Sequence, residues 1–248
     1  SALRETPKSR RQSVQSIIAL FKQCFPVFIA LFMYALIDNM PKFVMETALS
    51  YDNQLYFNAL YFPAQAILLT VGFVYKPLLV RMAQMWADAE KRNRFHLVIL
   101  AIVAMVIALT LVVIFLMGWI GIPIMSFMYG VDFEQFRGLS FIMIAAGGVT
   151  AIIDFLYQVI TVLRRQKSVM KLYVITFGFS LFVPILLIDF TGLPGAVIGY
   201  LIVMTILMVL LVWEYVSICL DLSKHPVSQN PVSVSCLLYT SPSPRDRQ

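Results

Sequence analysis

The residues of this chain that could do chemistry sit inside apolar stretches, and their spacing is helical. Asp38, Lys42 and Glu46 recur at i, i+4 and i+8 around Pro41, a spacing at which acidic and basic side chains meet on one helix face. Thr150, Asp154, Gln158, Thr161 and Arg165 follow steps of four, four, three and four, which stacks them along one side of a helix. Ile152, Phe155, Val159 and Val162 cover the rest of that helix. Gln54, Asn58, Tyr61, Gln65, Gly72 and Lys76 form a second stripe, and Tyr173, Thr176, Ser180 and Pro184 a weaker third. A carboxylate such as Asp154 well inside an apolar span costs about 2.5–3.5 kcal/mol, so it is expected to face water or a partner. The chemistry open to such stripes is reversible binding of polar or charged matter along a wet cavity. Two plainer readings stay open. Helix-to-helix hydrogen bonding accounts for the third stripe. The Asp38, Lys42 and Glu46 group fits an interfacial cluster whose lysine snorkels, if its helix starts early enough to bring Lys42 to the membrane edge.

No catalytic constellation accompanies these stripes, and an enzyme is not expected. His96 and His225 lie far apart, and no HExxH, GxSxG or phosphate-cradling glycine run occurs. Gly147 and Gly148 are embedded in an apolar helix, which predicts a close-packing point between helices rather than a phosphate loop. Cys24, Cys219 and Cys236 have neither disulfide-framework nor zinc-site spacing.

The elements that must position these residues follow from composition. Of 248 residues, 60% are apolar and 13% charged, against about 45–50% and about 25% in soluble domains. The mean hydropathy is +0.84. A soluble globular protein is excluded, and nothing in the net charge of +6 calls for nucleic acid, because cations collect on cytoplasmic loops of membrane proteins. Apolar windows predict six spans, at 21–40, 60–79, 95–117, 139–163, 172–190 and 196–220. All should be helices, since a backbone in lipid must satisfy its own hydrogen bonds. Pro26, Pro41, Pro63, Pro77, Pro123 and Pro184 are expected to bend or break several of them. The third span carries one polar side chain, Thr110, between 97 and 117 and reads as a peripheral, lipid-facing helix. Fifteen Lys and Arg residues fall before the first span, in the loops after the second and fourth, and after the sixth, whereas the alternate loops hold Lys42 and Arg137 alone. This bias predicts a multi-pass protein with both ends of the chain in the cytoplasm.

The expected organisation is a basic cytoplasmic segment over 1–20, a six-helix transmembrane bundle over 21–222 and a polar cytoplasmic tail over 223–235. Residues 236–248 (CLLYTSPSPRDRQ) look like a translated sequencing adapter that makes no tertiary contacts. Ser1 and the basic opening read as a loop cut from a longer protein.

Four short runs carry a family resemblance. Asn39-Met40-Pro41-Lys42-Phe43, Gln54-Leu55-Tyr56-Phe57, Tyr61-Phe62-Pro63-Ala64 and Val74-Tyr75-Lys76-Pro77-Leu78-Leu79 resemble the run NAPK…QAYF…FMPA…FRPLL of the MOP-superfamily oligosaccharide flippases. These are the Wzx-like lipopolysaccharide and capsule biosynthesis proteins. Lys76 stands where an Arg is more usual, which keeps the charge and loses the planar fork. Leu163-Arg164-Arg165-Gln166-Lys167-Ser168 also looks like that family's cytoplasmic turn. The resemblance implies an all-α integral membrane fold that forms one lobe of a two-lobe transporter, the N-terminal lobe lying elsewhere in the parent chain. It implies translocation of an undecaprenyl-diphosphate-linked oligosaccharide across a bacterial inner membrane. On that reading Lys42 and Lys76 contact the diphosphate, and Asp38 and Asp154 take a coupling proton or sodium ion. Asn58, Gln65 and Gln158 bond sugar, membrane lipid surrounds the bundle, and no cofactor is required. The competing expectations are a cation-coupled multidrug antiporter of the MATE type, a membrane-embedded glycosyl- or acyltransferase, and a non-transporting scaffold.

Overall fold

The computed structural model describes residues 7–87, 91–163 and 165–224. The expectations for 225–235 and for the adapter-like 236–248 lie outside the described residues, as do the first six residues of the basic segment. Every regular element among the described residues is helical. The order is α1 (Pro7–Ala48), α2 (Tyr51–Tyr75), α3 (Leu78–Ala87), α4 (Arg92–Leu116), a π-helical turn (Met117–Gly121) and α5 (Ile122–Tyr129). A 3-10 turn (Phe133–Phe136), α6 (Arg137–Val162), α7 (Gln166–Thr191) and α8 (Leu193–Lys224) complete it. Six stretches are long and apolar enough to cross a membrane: Cys24–Ala48, Tyr51–Tyr75, Arg92–Tyr129, Phe133–Val162, Gln166–Thr191 and Leu193–Asp221. The expected all-α membrane bundle is therefore the observed fold. Its outer surface carries Phe73, Phe127 and Phe190 at 79%, 90% and 85% exposure, a load of apolar area suited to acyl chains rather than water.

The chain divides into two compact units, Ser1–Tyr215 and Val216–Gln248. In the second, the described residues are the last turns of α8, in which Ile218 is buried. Within the first, α1 packs on α7, α2 on α6, and α4 on both α6 and α2. The centre is α6, where Met143, Ile144, Ala151, Ile153, Phe155 and Val159 have no exposed surface. Gly147 and Gly148 are the close-packing point that the sequence predicts. A Cβ on Gly147 would lie 2.7 Å from Ala64 Cα of α2, and one on Gly148 would overlap the Thr110 hydroxyl of α4.

Three expectations need correction. The third span is not wholly lipid-facing: Phe95, Ile99, Ile102, Val106 and Thr110 are buried at steps of four, three, four and four, one narrow face against the bundle. Thr110, its single polar residue, lies on that face and donates to Val106 O at 2.8 Å. That span also continues to Tyr129 instead of stopping near 117. Finally, of the prolines expected to bend or break helices, Pro26, Pro41, Pro63 and Pro184 make no break, since all four lie inside continuous ones. Only Pro77 falls at a break, so the 60–79 window spans the end of α2 and the start of α3.

Pro123 explains the π-helical turn. Proline cannot donate to the carbonyl one turn back, and its ring crowds that carbonyl. An extra residue in the preceding turn relieves the conflict, and the Ile122 N–H reaches five residues back to Met117 O. That shift leaves Gly118 O without its usual partner, and the Arg137 guanidinium of α6 donates to it at 2.9 Å. Glu134 holds the same guanidinium at 2.7 Å. The loop between α5 and α6 turns through Gly130 at φ 68°, a left-handed conformation suited to glycine.

Candidate functional site

Two carboxylates inside the spans are each capped by tyrosine hydroxyls. The first, Asp38 of α1, is half-buried. Tyr61 of α2 donates to it at 2.8 and 2.9 Å, and Tyr200 of α8 at 2.7 Å. These two phenols are 8% and 1% exposed, too deep to find water if the carboxylate were absent. Aromatic packing sets their aim. Tyr61 stacks on Phe57 with ring centroids 6.2 Å apart, and Tyr200 meets both rings edge-on at 6.4 and 5.7 Å. The spacing of Phe57 and Tyr61, one turn apart on α2, places both on the face toward α8.

Lys42 stands one turn beyond Asp38 but forms no ion pair with it, nor with Glu46, among the described residues. The acid–base pairing that the spacing allows is thus not made. The lysine ammonium rests over the Tyr61 ring, 4.4 Å from its centroid, and donates to Asn39 Oδ1 at 3.4 Å. Gln54 donates to the Lys42 carbonyl at 3.3 Å, which ties the start of α2 to the end of α1. Glu46 is exposed. One phenol therefore serves two charges, its hydroxyl solvating the carboxylate and its ring face holding the cation.

The second carboxylate, Asp154 of α6, lies toward the opposite end of the bundle, where α2 ends and α6 hands over to α7. It is half-buried, and the fully buried Tyr75 donates to its Oδ2. Tyr75 leans on Phe155, centroids 5.5 Å apart. An edge-to-face run of rings, Tyr157 on Tyr173 at 6.1 Å and Tyr173 on Tyr34 at 5.9 Å, crosses from α6 through α7 to α1.

The remaining residues singled out by the sequence separate. Gln65 and Gln158 are half-buried, Asn58 is exposed, and neither glutamine joins either carboxylate through a hydrogen bond, although Gln65 bonds the Tyr61 side chain beside Asp38. Thr150 is buried and donates to Gly147 O of its own helix at 2.9 Å. Lys76 is exposed, its ammonium 3.4 Å from where a Cβ on Gly72 would stand, so the missing side chain leaves room for the lysine stem. On α7, Tyr173, Thr176, Ser180 and Pro184 are all buried, with Thr176 and Ser180 donating to Leu172 O and Phe177 O of their own helix. That stripe is a packing face.

Sequence reasoning missed Tyr200 altogether. It is the first of two tyrosines in a long apolar helix, and the one available signal is that a phenol there needs a hydrogen-bond partner. Among the described residues no three His, Cys, Asp or Glu side chains gather as a metal-binding group. Comparison of the chain with known protein families, with curated proteins and with solved structures finds no match.

Proposed function

We propose that this chain is one lobe of a flippase that carries an undecaprenyl-diphosphate-linked oligosaccharide across the bacterial inner membrane, with both of its ends in the cytoplasm. The observation that supports this most is the state of Lys42. Its ammonium lies within a span on an aromatic face and is not neutralised by the carboxylates one turn away on either side. A phosphate oxygen could approach such a cation without first breaking an ion pair, and a diphosphate where water is scarce needs a cation. Lys76, exposed at the far end of α2, offers a second positive contact. Gln65, Gln158 and Asn58 are the sugar-bonding candidates, and Asp38 and Asp154 the sites for a coupling proton or sodium ion. Turnover would be alternating access against the N-terminal lobe of the parent chain, with cargo binding favouring closure.

The test uses the full reading frame that carries this chain, in a flippase-null strain scored for surface polysaccharide. Lys42→Ala and Lys76→Ala should each reduce export several-fold at unchanged protein level. Lys→Arg should be tolerated at 76 and less well at 42, where the larger head would keep the Tyr61 ring but displace the ammonium's contact with Asn39. Wild-type export by both alanine variants would remove the lysines from the mechanism and leave a snorkelling role.

A second reading, a cation antiporter of the MATE type, is favoured by the two carboxylates. Asp154→Asn abolishing efflux of a cationic dye, with polysaccharide export untouched, would select it.

A further inference from the structure

Helix α3 differs from every other described α-helix on the side of the bundle where α2 ends. It follows the break at Pro77, has 10 residues, and packs on α4 and α6. At 1.5 Å per residue it is about 15 Å long, half a hydrocarbon core, so it cannot span. Met82 is buried beneath it, while Val80 and Arg81 of the same turn are exposed. Between positions 76 and 94 the sequence carries Lys76, Arg81, Lys91, Arg92 and Arg94 against Asp88 and Glu90. The Arg92 guanidinium lies over the Trp86 ring, 5.4 Å from its centroid. Its Nε is buried and has no hydrogen-bond partner among the described residues. Trp86 is braced in turn by Phe95 at 5.0 Å and His96 at 6.4 Å, and His96 Nδ1 is 2.5 Å from the Tyr215 hydroxyl of α8.

A tryptophan beside apolar side chains and arginines, on a helix too short to cross, has the makeup of the membrane–water boundary. We infer that α3 and the first turn of α4 form a docking surface for anionic phospholipid headgroups. Arg81 and Arg92 contact the headgroup phosphate, and Trp86 marks the depth of the interface. Charge complementarity selects the occupant: the site is cationic, it adjoins spans that already lie in lipid, and a guanidinium fork matches a phosphate diester. The inference rests on the membrane fold and not on the transport reading, so either can fail alone.

The full chain, in nanodiscs of mixed phosphatidylcholine and phosphatidylglycerol, should retain phosphatidylglycerol on extraction, as read by native mass spectrometry. Arg81→Gln with Arg92→Gln should lower the preference for phosphatidylglycerol about tenfold. Arg81→Lys with Arg92→Lys should largely keep it. Helical circular dichroism of each variant separates loss of binding from loss of fold; if the glutamine pair unfolds, Trp86→Ala supplies the same comparison. Equal retention of phosphatidylglycerol by the glutamine pair and the parent overturns the proposal. So does a variant that keeps the lipid but loses a soluble polyglutamate probe, which would assign the surface to an acidic protein.

Discussion

Asp38 and Asp154 are both carboxylates half-buried in an apolar bundle, yet the protein treats them differently. Asp38 accepts from two phenols on two other helices and has a cation over one of those rings. Asp154 accepts from one phenol, Tyr75. The first charge is solvated by the fold and ties α1, α2 and α8 together. The second keeps acceptor capacity for something that arrives. A carboxylate with its bonds already made is costly to disturb, whereas one that is half-served is free to bind and release.

The largest expected effect that would break this contrast is on stability. Asp38→Ala leaves the buried hydroxyls of Tyr200 and Tyr61 with a long 3.4 Å bond to each other in place of the carboxylate, and should cost about 3 kcal/mol. Asp154→Ala strands one hydroxyl beside a half-open site and should cost about 1 kcal/mol. Thermal unfolding of the two variants in one detergent would read the difference, and equal losses would erase it. The same contrast, read from the donors, is smaller. Tyr200→Phe should cost about 1.5 kcal/mol and Tyr75→Phe rather less, because water can reach Asp154 in place of its phenol. Smallest is Lys42→Met, which keeps the stem and removes the charge. A loss of about 0.5–1 kcal/mol is expected from the ring contact alone, measured by the same unfolding assay. A loss several times larger would mean that the ammonium also neutralises Asp38, contrary to the geometry described.

The six helices were legible because blocks of apolar residues as long as a bilayer is thick have few other uses, and the fold follows from that alone. Gly147 and Gly148 were legible for a related reason, since an apolar helix that gives up two side chains in succession gains only by close approach. The partners of Asp38 were not. Local spacing puts Lys42 within reach, but reach is a permission, and phenols brought in by α2 and α8 compete from far along the chain. Periodicity within one helix cannot see such rivals. The apolar look of the 97–117 stretch misled for the same reason. Thr110 has no polar neighbour on its own helix, and its burial is decided by Gly148 on another.

The π-helical turn does more than accommodate Pro123. Up to Thr110 the buried positions of α4 repeat at three or four residues, and they resume at Met117, Ile122 and Met125. The step from 117 to 122 is five residues, the width of the widened turn. The inserted residue thus works as a vernier that keeps one seam of a 38-residue span against the bundle while the helix passes a proline. Deleting a single residue between Gly118 and Ile122 would restore ordinary helical pitch and leave Ile122 and Met125 on that seam, because four residues of α-helix sweep nearly the same angle as five of the widened turn. Gly118 O would still lack a backbone donor, since Pro123 would then stand four residues on, and Arg137 would keep its bond to it. The widened turn thus stores one residue of chain length without changing which way the rest of the helix faces.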